Sequence, residues 1–328
     1  MAVKGLTALT LADWGKRVDP NGKVDKVIEL LSQTNPILDD MLFVEGNLPT
    51  GHRTTVRSGL PQATWRLLNY GVQPSKSTTV QITDGTGMLE TYSEVDKDLA
   101  DLNGNTSEFR LSEDRAFLEG MNQQMAQTLF YGDTSVNPQQ FMGLSSRYSS
   151  KTAGNGQNII DAGGTGTDNT SIWLVVWGEN TVHGIFPKGK KAGLQMKDLG
   201  EQTLTDANGG RYQGYRTHYK WDNGLTLRDW RYAVRIANID VSDLAVPGTA
   251  VNIVTQMVKA LHRIPNRGMG KPVFYMNRTV AQALDLQSLD KNSLALSVKE
   301  TEGDWWTAFR GIPIRETDAL LETESRVV

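Results

Sequence analysis

Between Gly46 and Val95 the chain runs for about fifty residues without a helical period, set between two helix-patterned segments. Thr, Ser, Gly, Gln, Asn and Arg dominate this stretch. A structureless connection of that length is uncommon inside a compact domain, which leaves disorder or a functional projection. Strand-like pieces at residues 52–57, 63–68 and 78–83 argue against disorder. In the third piece Val80 and Ile82 alternate with Thr79, Gln81 and Thr83, ahead of an Asp84-Gly85 turn signal. Val80, Ile82, Trp65 and Leu67 need a partner surface, yet a two-stranded ribbon is marginal in water by itself. A long hairpin arm that buries its apolar side on another subunit satisfies both demands. The pattern is that of a building block before it is that of an enzyme.

At 328 residues the chain can bury a sizeable core and divide into two or three compact parts. Its formal charge of −3 disfavours nucleic-acid binding across the whole surface. The sequence holds no cysteine, which removes disulfides, thiolate metal sites and a cysteine nucleophile. No apolar run approaches the length of a membrane span, and Met1-Ala2-Val3-Lys4-Gly5 does not read as a signal peptide. A soluble chain with no membrane partner is expected.

Val24, Val27, Ile28 and Leu31 lie at helical spacing before Pro36 and predict a short docking helix, or an ordinary terminal one, at the front. The clearest helix spans residues 108–131. Asn105 and Glu108 sit in capping-box positions, and Phe109, Phe117, Met121, Met125 and Leu129 form a stripe that Glu113, Asp114 and Glu119 avoid. At 1.5 Å per residue it is roughly 36 Å long, a spine for a domain. A Gly-rich loop occupies residues 153–166, and Ile172–Trp177 is a continuous apolar run, as in a strand covered on both faces. A second strand is expected from Trp230 to Ile236, with Trp230, Tyr232, Val234 and Ile236 facing a core and Arg231 and Arg235 facing away. After Pro247-Gly248, a helix over 249–264, a strand over 272–276, a helix over 278–286 and a strand over 311–315 alternate as an α/β lobe.

Chemistry-bearing motifs are thin. His52, His183, His218 and His262 form no metal-ligand pair at helical spacing. Gly184-Ile185-Phe186-Pro187-Lys188-Gly189-Lys190-Lys191 has the glycine spacing of a phosphate loop. Lys191, however, replaces the hydroxyl residue that would hold magnesium, and Pro187 removes a backbone donor. A solvated basic turn is the better reading. Glu300-Thr301-Glu302 and Glu322-Thr323-Glu324 offer close carboxylates, which read as solvated acidic faces rather than an acid–base pair. No catalytic, cofactor or metal residue is assigned.

Several segments form an ordered series: Ser32–Leu38, Gly59-Leu60-Pro61 with Trp65-Arg66 and Asn69-Tyr70-Gly71-Val72, and Leu129-Phe130-Tyr131-Gly132-Asp133 with Pro138 and Gly143-Leu144. Phe186-Pro187-Lys188-Gly189 with Ala192-Gly193-Leu194, Trp230–Asp240 and Thr317-Asp318-Ala319-Leu320 continue it. No segment is specific alone; their order is. Taken in that order they resemble the major capsid proteins of tailed double-stranded-DNA phages, most of all the short-tailed type known from a Bordetella phage.

The resemblance implies an α+β chain of the Hong Kong-type phage capsid fold. Its parts would be an N-terminal arm and docking helix (1–45), an extended E-loop (46–95), a P-domain with the spine helix (96–240) and an A-domain at the capsomer centre (241–328). The Trp230 strand precedes the α/β lobe instead of following it, which points to a permuted strand order. The implied function is self-assembly into hexamers and pentamers of an icosahedral virion shell in the host cytoplasm. The implied partners are further copies of the chain, a separate scaffolding protein, a portal, a decoration or cement protein, and packaged DNA held nearby without sequence-specific contact. Candidate inter-subunit contacts are Arg53, Arg57, Trp65, Arg66, Arg231, Arg235 and Gly268. An encapsulin-like nanocompartment shell and, from a different class, a phage-associated hydrolase using its carboxylates remain as alternatives.

Overall fold

A computed structural model describes residues 9–11, 13, 33–206, 208–244, 251–290, 296–301 and 304–328. The helix expected over Val24–Leu31 and the Pro247-Gly248 boundary lie outside the described residues. Among the described residues thirteen strands form one continuous hydrogen-bonded network. In chain order they are β1 Phe43–Glu45, β2 Gly51–Gly59, β3 Thr78–Asp96, β4 Ile159–Asp161, β5 Asn169–Trp177, β6 Val182–Phe186 and β7 Leu194–Thr205. There follow β8 Arg211–Leu227, β9 Ala233–Asp240, β10 Lys271–Met276, β11 Leu296–Thr301, β12 Asp304–Phe309 and β13 Ile312–Glu316. The main helices are α1 Thr106–Tyr131, α2 Ile253–Arg263 and α3 Arg278–Asp290.

One part of the network runs β4-β9-β5-β10-β13-β12-β11. At its centre β5, the apolar run of the sequence, is buried at every residue between β9 and β10, both antiparallel to it. An Asn252 side chain that accepts from the Thr255 amide at 3.0 Å starts α2, which buries Ile253, Met257, Ala260 and Leu261 and packs on β9 and α3. Strands from both sides of the expected border at residue 240 thus share one sheet.

The second part is a long twisted sheet in which β8 lies between β3 and β7, with β6 pairing the C-terminal end of β8 and β1 pairing β6. The spine helix α1 lies across β3 and β8, over Val95 and Tyr219. Phe109, Met121, Met125 and Leu129 are buried as the stripe predicts, while Phe117 is half-buried. Asp114, expected on the outer face, is buried beside Tyr219; burial first, and this carboxylate second, push the tyrosine hydroxyl up to about 12. On the opposite side of the sheet Glu90 pairs with Lys220 and Glu94 with Arg216, and Tyr92 stacks on His218 at 4.6 Å. Cross-strand pairs of this kind set the register of a sheet with one wet face.

The 129–144 segment has a packing reason for its sequence. The chain leaves α1 at Gly132 and returns at Gly143, whose amide bonds to the Gly132 carbonyl at 2.8 Å. A Cβ on Gly143 would stand 2.6 Å from the Thr128 carbonyl and 2.7 Å from the Gly132 nitrogen, all rigid backbone. Gly143→Ala is expected to cost about 1–3 kcal/mol, the range for overpacking a tight site. An unchanged midpoint in chemical denaturation would contradict that packing.

The expected Trp230 strand needs correcting. Trp230–Tyr232 is a single 3-10 turn, capped by the Asp229 side chain, and the strand begins only at Ala233. Both faces of β9 are covered, so Arg235 does not point to solvent. It is 3% exposed, stacks 5.3 Å from the centre of the Trp173 ring and pairs with Glu324 at 2.9 Å. It also donates to Ser171 Oγ and to the Tyr148 carbonyl. Glu324, expected on a solvated acidic face, is 6% exposed and accepts from the Tyr131 hydroxyl at 2.5 Å as well as from Ser171. Close by, Val327 exchanges hydrogen bonds with the Asn238 side chain. The last residues therefore tie the end of α1 to β5 and β9.

Candidate assembly surface

The ribbon that leaves the body begins at the glycine pair Gly51 and Gly85, where β2 and β3 approach so closely that a Cβ on Gly51 would collide with the Asp84 carbonyl. The expected Asp84-Gly85 turn is not formed. Instead β3 runs straight through these residues and changes partner there, from β2 (ending at Gly85) to β8 (beginning at Thr86). Asp84 is held by Arg147 at 2.8 Å.

From this root β2 and β3 pair in register from Gly51↔Gly85 to Arg57↔Thr79, with a bulge before Gly59↔Thr78. Residues directly opposite share a face, so Thr54, Val56, Val80 and Ile82 form one side and Arg53, Thr55, Arg57, Thr79, Gln81 and Thr83 the other. The alternation read in 79–83 is what the strand shows. The strand expected over residues 63–68 is absent: residues 60–77 form an open tip, held by a Leu67–Tyr70 turn and a Ser75 hydroxyl on the Gln62 carbonyl. Every residue from 60 to 83 is exposed. Trp65 at 105%, Leu60, Leu67, Leu68, Tyr70 and Val80 are all outside any core.

Arg53, Arg57, Trp65 and Arg66 are thus gathered on one projection. Among the described residues the Arg53 guanidinium reaches Thr83, and neither Arg57, Arg66 nor Lys76 meets a carboxylate. From Gly46 to Thr83 there is no Asp or Glu at all, whereas the remainder carries 30 Lys and Arg against all 37 acidic residues. That signal was available in the sequence. Arg231 is exposed but clasped by Asp229 at 2.6 Å, and Arg235 is interior, so neither joins the ribbon surface. Gly268 is exposed in a 3-10 turn, its amide capped by Asn266, on a loop that abuts the turn after β5.

The Pro187–Gly193 turn runs into β7 rather than a helix, and its Gly189 amide is taken by Glu45 at 2.8 Å, so it is no phosphate loop. Among the described residues no group of His, Asp and Glu could hold a metal, and no helix is long and apolar enough to cross a membrane.

A sequence profile of one family, major capsid protein GP7, matches residues 19–328. The chain belongs to that family. It is 36% identical to a chain of the bacteriophage Epsilon15 structure, over 100% of this chain and 99% of the other, with a TM-score of 0.74. The bacteriophage JBD30 capsid is matched at 9% identity, over 89% of this chain and 92% of the other, with a TM-score of 0.48. An encapsulin complex from Synechococcus elongatus is matched at 10% identity, over 70% of this chain and 96% of the other, with a TM-score of 0.44. No curated protein sequence matches it. The architecture is the Hong Kong-type phage capsid fold, and the protein is a shell-forming major capsid protein of a bacteriophage.

Proposed function

We propose that residues 46–95 are the E-loop through which each capsid subunit reaches over a second copy. The observation that carries this is the uncovered tip, where every residue from 60 to 83 is exposed and the Trp65 ring is uncovered by the described residues. Large exposed apolar patches on soluble proteins mark interaction sites. The second copy is also the chemically matched partner, since residues 46–83 carry four cationic side chains and no carboxylate while the rest of the chain is acidic on balance. The same contact repeated head to tail generates rings and, when rings join, closed shells. Hexamers and pentamers are the expected rings, assembled in the host cytoplasm on a separate scaffolding protein and completed by a portal. A decoration protein and DNA held without sequence-specific contact complete the proposal, as does kinship with the short-tailed Bordetella phage type.

Within the subunit we assign α1, β3, β7 and β8 to the P-domain, and the β4-β9-β5-β10-β13-β12-β11 part with α2 and α3 to the axial lobe. The chain is read as a structural protein and not a hydrolase, since Glu324 is neutralised inside the fold by Arg235. Size-exclusion chromatography of the purified protein, alone and with its scaffolding partner, is expected to show large closed particles. A stable monomer under every condition would overturn the assembly reading.

A further inference from the structure

Where the ribbon joins the body, four elements bring together polar side chains that are buried and poorly matched. His52 of β2 lies in register with Asp84 of β3, and His183 of β6 in register with Thr226 of β8. The His52 and His183 rings meet edge to face at 5.9 Å, and His183 is 0% exposed. Arg228, just past β8, places Nη2 3.2 Å from His52 Nε2. A guanidinium can only donate, so His52 accepts through Nε2 and carries its proton on Nδ1. Among the described residues that Nδ1 is buried without a partner, as are Arg228 Nε, Thr226 Oγ1 and Asp84 Oδ2. Neither ring nitrogen of His183 meets a well-aligned partner, the Gly178 carbonyl being only weakly in reach.

We propose that His52, His183 and Arg228 form an acid-sensitive latch that seats the ribbon at neutral pH and loosens it when an imidazole is protonated. A proton on His52 Nε2 sets two donors against each other and ends the bond from Arg228. A proton on His183 places a charge in a fully buried site beside Arg228 and His52. The charged groups facing the cluster are Arg228 and Asp84, with Arg147 engaged on Asp84 Oδ1 and the neutral Asn180 amide beside Arg228. Asp84 favours the protonated form of His52, although Arg147 already occupies one of its oxygens, and the Gly178 carbonyl favours that of His183. Burial first and Arg228 second hold both imidazoles below their ordinary range, His183 at about 4.

Because these groups are lowered in the folded chain, the seat is complete above the ordinary histidine value near 6.5. It weakens as pH falls from there toward about 4. The effect acts within one subunit and does not depend on how copies assemble.

The test is amide hydrogen exchange on the purified full chain at pH 7.5 and 5.0, with rates corrected for intrinsic pH dependence. Peptides from residues 51–59 and 78–85 are expected to lose protection by about tenfold at the lower pH, while β5 stays protected. His52→Gln with His183→Gln should remove that response. Should this variant fold poorly, exchange at the imidazole C2 protons of the wild type reads each histidine directly, and both should titrate below 6.5. Ribbon protection unchanged with pH, a pH response retained in the double variant, or ordinary titration of both rings would each overturn the latch.

Discussion

Replacing Trp65 by alanine is expected to leave the subunit's circular dichroism and unfolding midpoint unchanged while closed particles become few or fragile. Within its own chain Trp65 is fully exposed, and surface substitutions away from special features shift stability by only about ±0.5 kcal/mol. Across an interface the same ring is a different object. Buried aromatic anchors typically cost about 2 kcal/mol or more when truncated, a factor of roughly thirty for each contact. A closed shell repeats that loss at every subunit pair. Particle yield by sedimentation, compared with the thermal midpoint of the unassembled subunit, separates the two effects. Equal loss of folding and assembly would show that the ring belongs to the subunit's own fold, and undiminished particles that it is no anchor.

The second large effect lies in the interior. Arg235→Ala is expected to destabilise the subunit by about 3–5 kcal/mol, the range for removing one partner of a buried ion pair. The cost comes from Glu324, left charged among Tyr131, Ser171 and the covered face of β9. Arg235→Leu combined with Glu324→Leu should be less harmful than Arg235→Ala, since no charge is then stranded. Chemical denaturation of the three proteins measures this directly. A loss below about 1 kcal/mol for Arg235→Ala, the level of exposed pairs, would contradict the interior placement.

The alternation of Val80 and Ile82 with Thr79, Gln81 and Thr83 gave the ribbon faces correctly, because a strand free in solvent has only its pleat to obey. The apolar run Ile172–Trp177 was readable as a doubly covered strand, since little else tolerates such a run. The spine helix was legible from its stripe of Phe and Met. Arg235 was misread because an alternating pattern cannot distinguish a wet face from one closed by a charge partner 89 residues away. Asp84-Gly85 carries a turn signal yet sits where β3 exchanges one partner for another, a choice made by β2 and β8 rather than by the dipeptide. The β7–β8 hairpin did leave a trace, as Tyr215, Thr217, Tyr219 and Trp221 alternate with Arg216, His218 and Lys220. The strict absence of acid from 46 to 83 was likewise there to be counted.

The most direct measurement is a cryo-electron microscopy map of the assembled particle at side-chain resolution. Closed shells are expected in which residues 60–77 lie over a neighbouring subunit, with Trp65 buried there and Arg57 and Arg66 facing its carboxylates. A particle in which that tip stands in solvent, or folds back on its own chain, would contradict that arrangement.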